Sequence, residues 1–189
     1  MKRTLLISSS EQGASALGEM LKAEGFKPVT VSYSAFNAKE IAEREEFDLI
    51  CVNAPLADEN GIDLSRHFAA TTRAGVVAIV PQKNADEVSD MLNHFGVLVI
   101  AKPINRHLFH HYLQFTDCFR TRILNMEREN EKLKTMVEDL KIIDRAKLLL
   151  VTCLNMSEEQ AHRYLEKQAM DLRVSRLEVA KQVIQTYQN

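Results

Sequence analysis

From Phe109 to Leu140 apolar residues recur in a seven-residue repeat that no glycine or proline interrupts. With Phe109 set at an a position, the a/d series runs Phe109, Tyr112, Thr116, Phe119, Ile123, Met126, Asn130, Leu133, Val137, Leu140, and eight of these ten positions are apolar. A stripe at this spacing is made for a long helix that buries one face against another helix. The flanking positions are rich in Arg and Glu, as on a solvated surface. The reading is a last domain helix running directly into a coiled coil that makes a homodimer. Asn130 at an a position sharpens it, because a lone buried asparagine gives up stability but selects register and a parallel, two-stranded pair. The expected dimerisation set is Ile123, Met126, Asn130, Leu133, Val137 and Leu140. The competing arrangement packs the same helix on its own domain.

Before this repeat, short apolar runs alternate with helical patterns. Thr4–Ile7, Pro28–Ser32, Asp48–Val52, Gly75–Val80 and Val97–Ala101 read as strands. Ala14–Glu24 (stopped by Gly25), Ala35–Glu45, Leu64–Ala70 and Ala85–Phe95 read as the helices between them. The third run is apolar on both faces after Asp48, as a central parallel strand should be. Right-handed crossovers then leave a flavodoxin-like α/β domain as the expected fold. After the repeat come three helical stretches, Leu140–Leu154, Glu158–Asp171 and Arg176–Tyr187. The last two open on the spacings Ser157-to-Gln160 and Ser175-to-Glu178, which are capping-box sequences. The expected organisation is a sheet domain over 1–108, a coiled-coil helix over 109–140 and an all-α three-helix domain over 141–189.

Composition narrows the setting. No apolar run approaches the roughly 20 residues that cross a bilayer, so no membrane partner is expected. The run Thr4-Leu5-Leu6-Ile7 after Met1-Lys2-Arg3 is too short for a signal peptide. Cys51, Cys118 and Cys153 are far apart and odd in number, which suits reduced thiols in a cytoplasm and supplies no metal spacing. Residues 1–118 hold 11 basic and 15 acidic side chains, whereas residues 141–189 hold eight basic and six acidic. Only the last segment offers an excess of cations, and a solvated helical surface explains that excess as well as an anion-binding face does. Walker A, GxSxG and HExxH motifs are all absent from the sequence, so neither an enzyme nor a cofactor is expected. His107, His110 and His111 share one helix, and His107 and His111 have the i, i+4 spacing of metal ligands. A solvated helix or coil entry is the commoner explanation, and no metal is expected.

Several residues at the ends of the expected strands carry a resemblance. Leu5-Leu6-Ile7-Ser8-Ser9-Ser10-Glu11, Asp48-Leu49-Ile50-Cys51-Val52-Asn53, Gly61, Val80-Pro81 and Lys102-Pro103 together resemble the receiver domain of two-component response regulators over about residues 1–115. In that family two acids after the first strand hold Mg²⁺. An aspartate ending the third strand accepts a phosphoryl group, a Ser/Thr follows the fourth, and a lysine ends the fifth. This chemistry needs a carboxylate nucleophile and hard oxygen ligands. Here Ser9 and Ser10 stand where the acids belong, Asn53 stands at the acceptor position, and a proline follows the fourth strand. Lys102 alone keeps the family's residue. The site Ser9, Ser10, Asn53, Lys102 is thus a degenerate phosphorylation site, closed to the usual aspartyl chemistry. Lys102 is expected to pair with a local oxygen such as that of Asn53, or to face solvent. Glu11 and Asp58 have structural or solvated roles, with weak cation binding as the alternative.

The C-terminal residues carry a second resemblance. Ile143-Asp144-Arg145-Ala146-Lys147, Met156-Ser157-Glu158-Glu159-Gln160-Ala161, Leu165-Glu166-Lys167-Gln168-Ala169-Met170 and Leu177-Glu178-Val179-Ala180 resemble the ANTAR domain over roughly 135–188. Members of that family bind nascent RNA and prevent a terminator hairpin from forming. Leu148 and Leu140 depart from the pattern, standing where a glycine and an arginine are common. Most matching residues are small or apolar and read as helix packing, so recognition falls to the polar groups around them. RNA needs cations for its phosphates and planar groups for unpaired bases. The resemblance implies Arg145, Lys147, Arg163, Lys167, Arg173 and Arg176 as RNA contacts. Lys181 is a further cation, and His162 and Tyr164 are possible stacking groups. The layout as a whole resembles the amidase-operon (AmiR-like) regulator type, in which a partner protein that senses a small molecule controls the antiterminator. The rival reading is a protein-interaction adaptor that docks through the sheet domain without binding RNA.

Overall fold

A computed structural model describes residues 2–187; Met1, Gln188 and Asn189, which end the first and last expected domains, lie outside the described residues. The elements follow in the order β1 (Thr4–Ser8), α1 (Glu11–Ala23), β2 (Val29–Ser32), α2 (Ala35–Arg44), β3 (Leu49–Asn53), α3 (Ile62–Thr71), β4 (Gly75–Pro81), α4 (Ala85–Leu92), β5 (Leu98–Lys102), α5 (Arg106–Leu154), α6 (Glu158–Leu172) and α7 (Arg176–Tyr187). The chain divides into two compact units that meet in sequence at Asn125 and Met126, within α5.

The first unit is the flavodoxin-like fold. Its five parallel strands lie in the order β2-β1-β3-β4-β5. Because side chains alternate across a strand, each central strand feeds two cores. Leu5, Ile7, Ile50, Val52, Val76 and Ala78 pack under α2, α3 and α4, while Leu6, Leu49, Cys51, Val77 and Ile79 pack under α1 and α5. Strands apolar on both faces are what a sheet covered on both sides requires. Helix α1 begins three residues before the expected start because Ser10 caps it, accepting from the Gly13 N–H at 3.1 Å. Its end is as expected: Gly25 takes the left-handed conformation, φ 83°.

Helix α5 enters this unit as one of its own covering helices. Phe109 is 1% exposed and sits with Leu113 in the core beside α1. The first positions of the heptad series therefore belong to the sheet domain, and its apolar residues become exposed only from Phe119 onward. Close approach of α5 to β4 depends on Gly75, where an added Cβ would lie 2.4 Å from Thr116 Cγ2. Beyond that contact Arg120 pairs with Asp48 at 2.9 Å and donates from Nε to the Arg73 carbonyl at 2.9 Å. Lys2 reaches Asp117 at 2.8 Å.

The second unit closes a small core from Ala146 and Leu150 of α5, Ala161, Leu165 and Ala169 of α6, and Val179, Ala180 and Val183 of α7. The alanines let the helix backbones approach closely. Both capping boxes form. Ser157 and Gln160 exchange bonds of 2.8 and 3.2 Å, and Ser175 and Glu178 do the same at 2.8 and 3.2 Å. The two bonds from Ser175 hold the Glu178 carboxyl below its ordinary pKa.

Gly75→Ala should destabilise the sheet unit by about 1–3 kcal/mol, the range for overpacking. Gly75→Ala combined with Thr116→Ser, which removes the opposing methyl, should recover most of that loss in urea titrations. Independent, additive losses would refute the contact.

Candidate functional site

Parallel α/β sheets place their functional groups at the carboxyl ends of the strands, where strand order reverses. Here β1, β3 and β5 end at Ser8, Asn53 and Lys102. Asn53 Nδ2 donates to Ser8 Oγ at 3.0 Å, and Ser8 Oγ donates to the Ser10 carbonyl at 3.2 Å. Ser9 Oγ donates to the Pro55 carbonyl at 3.1 Å. A Cβ at Gly13 would meet Ser10 Oγ, Asn53 Nδ2 and Ser8 Oγ at 2.9–3.0 Å, so the first turn of α1 closes over this network because position 13 is glycine. Asn53 Oδ1 is buried and accepts no hydrogen bond among the described residues.

Lys102 pairs with a local oxygen, as expected, and the oxygen is that of the residue after Asn53. Its Nζ donates to the Ala54 carbonyl at 2.6 Å, one residue past Asn53. Partial burial lowers its pKa. The bond Lys102–Pro103 is cis. Among the described residues no carboxylate bonds to Ser8, Ser9, Ser10, Asn53 or Lys102. The strand ends carry a neutral hydroxyl and amide network with one lysine beside it, and these side chains offer no negative charge to a divalent cation.

Two sequence candidates near these strand ends have separate fates. Glu11 is exposed in the first turn of α1. Asp58, in the β3–α3 loop, caps α2: its carboxylate accepts from the Ala35 N–H at 3.0 Å and the Phe36 N–H at 3.2 Å. These bonds, the Ala35 one foremost, draw its pKa down, with Lys39 nearby adding to the effect. The structural reading of Asp58 accounts for every contact it makes.

The histidines lie where spacing put them. His107 and His111 approach Nε2 to Nε2 at 3.2 Å, and His110 pairs with Glu24. Among the described residues no three His, Cys, Asp or Glu side chains gather to hold a metal. Cys51 is fully buried, and burial pushes its thiol up to about 12, so it is inert.

The six expected RNA contacts all lie on the second unit, in different surroundings. Arg145 is exposed on α5 and makes no ion pair among the described residues. Lys147 is the exception to exposure: its side chain is 19% exposed, held by Asp144 at 2.7 Å and by Glu158 at 3.8 Å near the start of α6. Arg163 and Lys167 share the outer face of α6, and Arg163 holds Glu159 at 2.6 Å in an open surface pair. Arg173 ends α6, and Arg176 opens α7 with a 3.3 Å contact to Glu166. His162 also touches Glu166, at 3.3 Å. Tyr164 is half-buried against the core. Ser8 escaped the sequence reading because it stands outside the family's site pattern. Met170, the most exposed large apolar side chain among the described residues at 80%, escaped it because helical motif residues read as core.

Comparison with known proteins agrees with both halves of the chain. Residues 131–184 match the ANTAR domain family. The transcriptional regulatory protein PdtaR of Mycobacterium tuberculosis is 27% identical over 170 residues, covering 90% of this chain and 83% of that protein. The aliphatic amidase regulator of Pseudomonas aeruginosa is 25% identical over 116 residues, 61% of this chain and 59% of that one. The sheet unit superposes on a response regulator receiver domain from Clostridium thermocellum with TM-score 0.57 and 14% identity, covering 66% of this chain and 99% of that one. A CheY-like receiver domain from Methanospirillum hungatei gives TM-score 0.56 and 18% identity, covering 65% of this chain and 98% of that one. At these identities the structures establish the receiver fold.

The Asp58 cap makes a prediction about pH. Its folded pKa lies below the unfolded value, so its stabilisation is complete above that unfolded value, about 3.9, and fades as pH falls through the folded one. Asp58→Ala should melt at a lower temperature than the parent at pH 7, and the gap should narrow below about pH 4. A gap that stays constant across that range would remove the charge from the account.

Proposed function

With residues 131–184 belonging to the ANTAR family and the preceding unit to the receiver fold, we propose that this chain is a dimeric, RNA-binding transcription antiterminator. Its receiver-like domain serves as a docking module and takes no phosphoryl group. The observation that carries this reading is the make-up of the second unit: an alanine-rich core whose cations stand outside it, in the segment that matches ANTAR. Such a core positions Arg145, Arg163, Lys167, Arg173 and Arg176 for phosphates, and the chain's matched relatives are named as regulators. Lys147 acts mainly by tying α5 to the start of α6, and it contacts RNA from that fixed position.

Dimerisation has its own support. Ile123, Met126, Leu133, Val137 and Leu140 are each about half exposed on α5, an arrangement that a solvated helix does not favour and a partner helix would bury. Asn130 would then set the register of two parallel copies. The loss of phosphorylation is supported by the chemistry of Asn53, since an amide is no phosphoryl acceptor, and by the missing carboxylates around it. Control then passes to a partner protein. Phe36 (71% exposed) and Tyr33, at the start of α2, give the receiver-like unit an apolar contact surface for such a sensor. The same two residues are what the adaptor reading would rest on.

The test is binding of the purified chain to a two-hairpin leader RNA and to a scrambled control across a salt series. Specific binding should weaken steeply with salt, and Arg145→Ala should lower the slope of log affinity against log salt by about one. A folded dimer that ignores both RNAs would favour the adaptor. Val137→Glu should drive the chain toward monomer in sedimentation; a dimer that withstands it places the interface elsewhere.

A further inference from the structure

The turn from α6 to α7 holds a conformation its sequence does not favour. Arg173 ends α6 in the left-handed region, φ 56°, with its N–H bonded to the carbonyls of Ala169 and Met170. Glycine takes this position without strain, and any residue with a Cβ takes it at a penalty. The arginine side chain does not repay that strain within the fold, since it is exposed and makes no ion pair among the described residues. Strain kept in place at an exposed position points to a use for the side chain.

Its neighbours indicate which use. Met170 is 80% exposed, Leu172 53% and Val174 36%; Met170 and Leu172, two residues apart on α6, stand on different sides of the helix, so Met170 is the apolar group on the face of Lys167. Lys167 lies three residues before Met170 on the same face of α6, and Arg176 begins α7. Two acids stand beside this patch: Glu166, engaged by Arg176 and His162 at 3.3 Å each, and Asp171, exposed one turn after Lys167, which offsets part of the cations' charge. An exposed apolar side chain with cations on either side suits unpaired nucleic acid, where a base needs an apolar contact and the adjoining phosphate needs a positive charge.

We propose that the α6–α7 turn is the seat of one unpaired RNA base: Met170 covers its face, while Lys167 and Arg173 hold its flanking phosphate. This rests on the RNA-binding reading and adds to it the place and the mode of loop recognition. Arginine stands where glycine would make the better turn because the guanidinium is needed outside the fold, a trade of stability for binding.

The full-length chain tests this with an RNA probe selected on the wild type from a pool of two-hairpin transcripts with randomised loops, alongside the same RNA with abasic loops. Arg173→Gly should melt at the same or a higher temperature, yet bind about tenfold more weakly with a salt slope smaller by about one. Met170→Ala should bind the intact loop about tenfold more weakly and the abasic loop as the wild type does. Wild-type binding by both variants would overturn the proposal, as would a fall in the melting temperature of Arg173→Gly, or equal losses of Met170→Ala on both probes. A wild-type chain that selects no RNA from the pool would overturn the RNA-binding reading itself.

Discussion

The packing of α5 on the sheet is the contact from which the rest follows. Phe109 and Leu113 fill the core beside α1, and Gly75 lets the helix come within reach of β4 at Thr116. Lys2, Asp48 and Arg120 then fix its continuation by ion pairs. Without that seat α5 would be a long amphipathic helix with nothing to start it, since isolated helices are marginal in water. With it, the hydrogen-bonded backbone runs on past exposed apolar residues from Phe119 and then supplies Ala146 and Leu150 to the C-terminal core. One helix thus belongs to a sheet domain and to a three-helix cluster, and its sequence changes character along the way.

The polar network at the strand ends obeys a different constraint. A phosphorylatable receiver must hold several carboxylates together, which repel one another unless a cation sits between them. Here the corresponding groups are Ser8, Ser9, Ser10 and Asn53, which bond to each other and to nearby carbonyls with no ion required. Lys102 has turned to the Ala54 carbonyl. The neutral network is self-sufficient in a way the charged one cannot be, apart from the unpaired Asn53 Oδ1.

What the sequence revealed divides along a physical line. Periodicity and caps are local, so the strand–helix alternation, both capping boxes and the left-handed Gly25 could all be read from neighbouring residues. The seven-residue repeat was equally visible, but a repeat does not name its partner. Phe109 fits an a position and yet packs on the sheet, because nothing local distinguishes a helix seam from a domain face. Contacts made across the chain were hidden for the same reason. The choice of Ala54 by Lys102, the capping of α2 by Asp58 and the hold of Glu158 on Lys147 each join segments whose approach only the fold decides. The left-handed backbone at Arg173 was concealed because the residue reads as one more surface cation.

The central claim is that this chain acts on RNA during transcription and does so without a phosphoryl group. Single-round transcription through a terminator behind a two-hairpin leader, with the purified chain added and no phosphodonor present, tests it most directly. The account predicts that terminator readthrough rises with the concentration of the chain and does not change when a small-molecule phosphodonor and Mg²⁺ are supplied. Termination that is indifferent to the folded chain, or readthrough that appears only with the phosphodonor, would contradict it.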